Sequence, residues 1–185
     1  YITMVKMISK KKFFFQKNSS FLKISGTDHQ NFLQGLITND IYLLKDDLCL
    51  YSGLLTPQGK FLFDFFIFNK YKELFLECKA TDINHLLSKL NIYKLRSDVL
   101  IERNFELQSF LISRCDEKEI KNNFKSQNLK IFNDPRSDFF SLKMFSSLED
   151  FTSIKKKLNL SSLTYDQYNS SRLKNTIPQS PDDFI

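Results

Sequence analysis

The sequence is poor in the residues that build metal sites, disulfide scaffolds and phosphate loops. Its 3 cysteines, Cys49, Cys78 and Cys115, stand far apart. That spacing excludes a disulfide framework and a cysteine-rich metal centre built from this chain alone. The only 2 histidines, His29 and His85, disfavour a histidine-based metal site, so no metal is expected. Both fall in helical segments without partners, so no Ser-His-Asp arrangement is suggested. The 4 glycines, at 26, 35, 53 and 59, match no phosphate-cradling loop. No run of about eighteen apolar residues occurs, so no membrane span is expected. The longest apolar runs, such as Phe65-Phe66-Ile67-Phe68, have strand length.

What is present fits a folded domain. The 185 residues are 42% hydrophobic and 26% charged, which argues against disorder. There are 20 Phe and no Trp, and Lys far outnumbers Arg. This skew reads as the imprint of an AT-rich genome, and with it a bacterial cytoplasmic protein is expected. It also weakens any conclusion drawn from many Phe or many Lys. Net charge is +6, so an acidic ligand or a nucleic acid must be considered. The lysines are scattered, however, at 10–12, 70 and 72, and 155–157, rather than striped with aromatics, so nucleic-acid binding is disfavoured. Lys10 to Phe15 slightly mimics a signal peptide, but polar Gln16-Lys17-Asn18 follows at once and a strand reads better. The ending from Pro178 to Ile185 is a Pro-rich polar loop turning apolar again, which suggests that further chain follows.

Strands are expected at Lys11–Gln16 and Phe21–Ser25. Thr27 is expected to cap a short helix, Asp28–Gln34, with Gln30 as reciprocal partner, and Gly35 to end it in a left-handed conformation. Leu48–Leu55 and Lys60–Phe68 form a hairpin around the turn Thr56-Pro57-Gln58-Gly59. Further strands are expected at Glu73–Cys78, Val99–Glu102, Leu107–Ser113, Lys130–Asn133 and Phe139–Phe145. Helices are expected to run from Thr81 or Asp82 to Leu90, and over Glu117–Ser126, Leu148–Leu158 and Tyr165–Lys174, the last capped by Thr164. Hairpins dominate, so an antiparallel α+β architecture is expected.

Asp64 is the most informative single residue. It sits among Phe61, Leu62, Phe63, Phe65 and Phe66. An unpaired buried carboxylate costs several kcal/mol, roughly, so it needs a reason to be there. Outward alternation would be the ordinary explanation, but Leu62 and Phe66 are expected on its face, which favours a pocket position. Thr38-Asn39-Asp40 is a polar cluster after a helix, by propensity a turn. Arg96 has Asp98 or Glu102 as an ordinary ion partner, Arg136 would tie down its own turn, and Arg172 would lie on a helix surface.

Several of these segments together resemble a known family. Ile24-Ser25-Gly26-Thr27-Asp28 followed by Phe32-Leu33-Gln34-Gly35-Leu36-Ile37-Thr38-Asn39-Asp40 resembles the opening signature of the YgfZ family, folate-binding relatives of the glycine cleavage T-protein. Leu55 to Asp64 resembles its second block, Tyr93 to Val99 its third, and Asp134-Pro135-Arg136 a weaker fourth. Tyr168-Asn169, Arg172 and Ile177-Pro178 with Asp182 or Asp183 resemble the run before the family's best-known motif. The resemblance implies two pseudo-symmetric antiparallel-sheet lobes, ferredoxin-like in part, and a C-terminal barrel that this sequence lacks. Residues 1–44 with 102–185 would form a discontinuous first lobe and 45–101 the second. It further implies a tetrahydrofolate pocket and a role in iron–sulfur cluster assembly or repair, with iron–sulfur client or assembly proteins as partners.

A pterin is flat on its faces and polar at its edges, so its pocket wants an acid, amides and aromatics. Asp64 would meet the pterin, Asn39 and Asp40 would complete the polar edge, and Arg172 and Arg96 would meet the glutamate tail of the folate. Two departures stand out. The family's Lys-Gly-Cys motif is absent, and Phe63-Asp64 stands where T-protein relatives carry two adjacent acids. If the chain is an enzyme, the resemblance implies a folate-dependent aminomethyltransferase, which the single acid disfavours. A basic nucleic-acid or protein-binding module is the remaining alternative, and only charge supports it.

Overall fold

The computed structural model describes residues 11–113, 115, 117–124, 129–137, 140, 142–179 and 183. Lys10, Ser126, Phe139 and Asp182, which figure in the expectations above, lie outside these residues. The strands are β1 (Lys12–Phe15), β2 (Ser19–Ser25), β3 (Cys49–Leu55), β4 (Phe61–Lys70), β5 (Glu73–Lys79), β6 (Leu100–Asn104), β7 (Gln108–Ser113), β8 (Lys130–Asn133), β9 (Leu142–Ser146) and β10 (Ser161–Ser162). The helices are α1 (His29–Gln34), α2 (Ile83–Tyr93), α3 (Glu117–Asn123), α4 (Leu148–Lys157) and α5 (Tyr165–Lys174).

These strands form two five-stranded sheets, ordered β10-β1-β7-β9-β8 and β3-β4-β5-β2-β6. All pairings are antiparallel except β1 with β10, which is parallel. The α+β expectation with two antiparallel-sheet lobes therefore holds, with one parallel edge. The chain divides differently from the expected 1–44 with 102–185 against 45–101. Strand β2 lies between β5 and β6, so residues 19–104 supply one sheet, and β1 joins β7 to β10 in the other. The reason is burial. Leu22 and Ile24 of β2 pack into the same core as Leu74 and Leu76 of β5 and Ile101 of β6.

Each sheet is covered on both faces. Side chains alternate along a strand, and β4 shows the consequence. Phe63, Phe65 and Ile67 pack beneath α1 and α2 against Leu33, Leu86 and Leu90. Phe66 and Phe68 turn the other way and meet Phe132 and Phe145 of the second sheet. That second sheet buries Phe110, Ile112 and Met144 beneath Ile120 of α3 and Phe151 and Ile154 of α4. The layers thus run helices, sheet, sheet, helices. Leu62 packs on the helix side with Phe63, not with Asp64 as expected, because the register shifts between Leu54 and Leu55.

Local details depart from expectation where tertiary contacts compete. Thr27 does not cap α1. Its hydroxyl donates to Asp98 Oδ2 at 2.8 Å, and Asp28 Oδ2 accepts from the Asp98 amide at 2.8 Å. Gly35 is right-handed, with φ −74°, whereas Gly26 takes φ +106° so close to the Asp98 backbone that no side chain fits there. Thr164 does cap α5 in a full capping box with Gln167.

Phe145 is fully buried, stacked on Phe68 at 4.3 Å and edge-on to Phe21 at 5.5 Å across the sheets. Phe145→Ala is expected to destabilise the protein by about 3–5 kcal/mol, read from its chemical-denaturation midpoint.

Candidate functional site

The site lies where the two sheets part. The segment Gln16–Ser19 crosses from β1 to β2, and so from one sheet to the other. Beside it a cavity of about 610 Å³ opens, walled by this crossover, by β3 to β5, and by Arg136 and α5. Alternation brings Asp64 to it. With Phe63 and Phe65 committed to the helix-side core, Asp64 is turned to the inter-sheet side with Phe66. There the Tyr51 hydroxyl donates to Asp64 Oδ2 at 2.5 Å. Burial, and next the Asp64 charge, push the Tyr51 phenol well above the ordinary tyrosine range, so it remains a donor.

Arg136 forms the opposite wall. Its Nε and Nη2 donate to Asp134 at 3.0 and 2.8 Å, and Nη1 donates to the Pro178 carbonyl at 3.2 Å. Burial opposes its charge, but the hydrogen bonds and charge of Asp134 outweigh it and hold the guanidinium above its usual range. The expected tie to its own turn is present, and the same group lies 4.6 Å from the Phe66 ring centroid. On α5, Tyr168 stacks on Phe14 at 4.0 Å and donates to Gln179 Oε1 at 3.0 Å. Lys17 and Lys79 also line the cavity.

Of the sequence-predicted residues, Asp64 alone lines this cavity. Asn39 and Asp40 lie behind it. Asn39 Nδ2 donates to the Tyr51 carbonyl at 3.1 Å, and Asp40 Oδ1 accepts from the Tyr42 amide at 2.9 Å, capping a 3-10 turn. Arg172 is buried, not on a helix surface. It donates to Asn169 Oδ1 at 2.7 Å and pairs with Asp183, which ties the end of α5 to the chain after it. Arg96 lies in an exposed turn after α2. Tyr51, Glu77 and Tyr168 were missed. Tyr51 carried no signal beyond strand alternation, and Glu77 sits in a run, Leu74 to Cys78, whose other members are apolar. Among the described residues no group of three or more His, Cys, Asp or Glu is placed to hold a metal ion.

Burial pushes the Tyr168 phenol up to about 12. An unfolded tyrosine ionises near pH 10, so between about pH 10 and 12 the unfolded state holds fewer protons and stability falls as pH rises. Tyr168→Phe is expected to remove a late phase from the phenolate absorbance titration and to make that fall in stability shallower.

No protein-family model matches the sequence. The sequence is 36% identical over 88 residues to an iron-sulfur cluster assembly factor IBA57 homolog, mitochondrial, of Cryptococcus neoformans, a match spanning 46% of this chain and 23% of that protein. Its counterparts in Coccidioides immitis and Neurospora crassa are 32% and 36% identical over 95 and 83 residues, or 22% and 19% of their lengths. The match therefore spans less than a quarter of these relatives. Each of them is mitochondrial and fungal, which corrects the expectation of a bacterial cytoplasmic protein. An AT-biased composition records codon usage and carries no cellular address. The fold matches the glycine cleavage system aminomethyltransferase T of Bartonella henselae with TM-score 0.77 at 13% identity, over 92% of this chain and 52% of that one. Sequence and fold together make this chain a partial-length match to proteins of the YgfZ and glycine cleavage T-protein type.

Proposed function

We propose that this chain binds a reduced folate in the inter-sheet cavity and serves iron–sulfur cluster assembly. The observation that carries the reading is the cavity itself. It offers an acid held by a phenol, Asp64 with Tyr51, beside flat aromatic walls that include Phe14 and Tyr168. These residues suit a pterin: the rings would cover its faces and Asp64 would accept from its polar edge. The glutamate tail would meet Lys17 and Lys79 at the cavity rather than Arg172 and Arg96. Asn39 would act indirectly, by holding the strand that carries Tyr51. A bound tetrahydrofolate carries one-carbon units. The chain's own part is to orient it and to keep a proton acceptor, Asp64, at its edge. The iron–sulfur role is supported by the names of the fungal relatives, and the partners would be iron–sulfur client or assembly proteins.

A T-protein-like aminomethyl transfer is the second reading, favoured by the shared fold. Against it, Phe63 is committed to the helix-side core, so Asp64 is the single carboxylate at this point of β4.

Calorimetric titration of the full chain with tetrahydrofolate is expected to show saturable binding. Asp64→Ala removes a charged acceptor worth about 1.5–3 kcal/mol, a loss of roughly ten- to a hundredfold in affinity. Absence of saturation in the wild type, or unchanged affinity in the variant, would overturn the folate site. Loss of iron–sulfur enzyme activities in cells depleted of the protein tests the assembly role separately.

A further inference from the structure

Beneath the cavity lies a buried polar network that the reading above does not use. Lys143 of β9 is fully buried and pairs with Glu77 Oε2 of β5 at 3.0 Å, so the ion pair spans the two sheets. Glu77 Oε1 accepts from the Ser19 hydroxyl. Lys143 Nζ also donates to Gln16 Oε1 at 2.8 Å and to Ser109 Oγ at 3.3 Å, and Ser109 Oγ donates to Gln16 Oε1 at 2.9 Å. The Gln16 amide in turn donates to the Ser109 carbonyl at 2.9 Å. Lys143 of β9 and Ser109 of β7 therefore meet at Gln16, which follows β1, and through Glu77 of β5 the network reaches Ser19 of β2, so it grips both ends of the Gln16–Ser19 crossover. The ammonium also sits 3.9 Å from the Phe66 ring centroid, next to the Asp64 position on β4. Burial draws the Lys143 ammonium below its ordinary range, and the Glu77 charge opposes that shift.

We propose that Glu77, at the cavity wall, and Lys143, behind it, are positioning residues of the cavity: their ion pair fixes the crossover that forms one wall, and so sets ligand affinity. Three physical points carry this. The crossover is the short link that passes between the sheets at the cavity, and its side chains, not a packed core, form that wall. Both ends of it are held by side chains that depend on the pair, Gln16 on Lys143 and Ser19 on Glu77. A buried ion pair is weak support for stability in general, because desolvation offsets attraction, so its value here lies in specifying one arrangement of two sheets. The affinity part rests on the folate reading; the positioning part does not.

The test uses the full chain and two variants, Lys143→Met and Ser109→Ala. Neither residue lines the cavity. Hydrogen exchange of the ligand-free protein is expected to quicken at the Gln16 and Ser19 amides while the Leu76 amide in the sheet centre stays protected. Tetrahydrofolate affinity is expected to fall at least about tenfold in Lys143→Met and about threefold in Ser109→Ala. A purely stabilising role would lower Tm and leave both the crossover exchange and the affinity of the folded protein unchanged, and that result overturns the proposal. If Lys143→Met fails to fold, Ser109→Ala decides alone. If the wild type takes up no tetrahydrofolate, the folate reading falls and the exchange measurement still decides the positioning.

Discussion

The buried ion pair between Lys143 and Glu77 is the polar link between the two sheets on which the proposed positioning of the cavity wall turns. Much of their remaining contact is aromatic: Phe68 against Phe145 and Phe132, Phe21 against both Phe68 and Phe145. Such surfaces supply most of the driving force, and their stacked and edge-on ring geometries also resist sliding. A buried charge has only one acceptable partner position. Removing either partner strands the other, a penalty that a change within the aromatic layer does not carry. On the proposed positioning role, the shape of the opening depends on this polar network as well as on the larger apolar area.

That division of labour explains how a cavity persists in so apolar a chain. Where Phe66, Phe68 and their partners fill the gap, the sheets close. Where Asp64, Glu77 and the Gln16–Ser19 crossover occupy the same gap, they remain apart. The acid in the Phe-rich strand β4 is therefore tied to the opening in two ways: it needs a polar neighbour, which Tyr51 provides, and it keeps apolar packing from sealing the site. The likeness to the Bartonella aminomethyltransferase at 13% identity fits this picture, because layering depends on the pattern of burial and not on particular side chains.

Much of the fold was legible. Alternation in β4 from Phe63 onward, the turn at Thr56 to Gly59, and the Thr164 cap of α5 are local signals, and each is present in the structure. The capping role expected of Thr27 was overridden because Asp98, distant in sequence, offers its hydroxyl and the neighbouring amides a better set of partners. Gly35 needed no left-handed turn because α1 continues into right-handed backbone. The placement of β2 differs from the lobe division that the resemblance implied, because its apolar pair Leu22 and Ile24 finds its core between β5 and β6.

Of the candidate site, the sequence by itself determined that an acid stands in an apolar strand, and its motifs carried the family likeness. Only the tertiary structure decided which polar groups keep that acid company. Asp64 announced itself through local contrast; Glu77 and Lys143 stand in equally apolar runs, Tyr51 carried no such contrast, and all three gain meaning only from residues on other strands. Arg172 shows the reverse. Its guanidinium and the family resemblance suggested a ligand role, and the fold turned it inward to Asn169 and Asp183. The physical reason is common to all of them: strand and helix periodicity fixes which face a side chain takes, but a charge is satisfied by whatever lies across the gap, and that partner is set by how the two sheets meet.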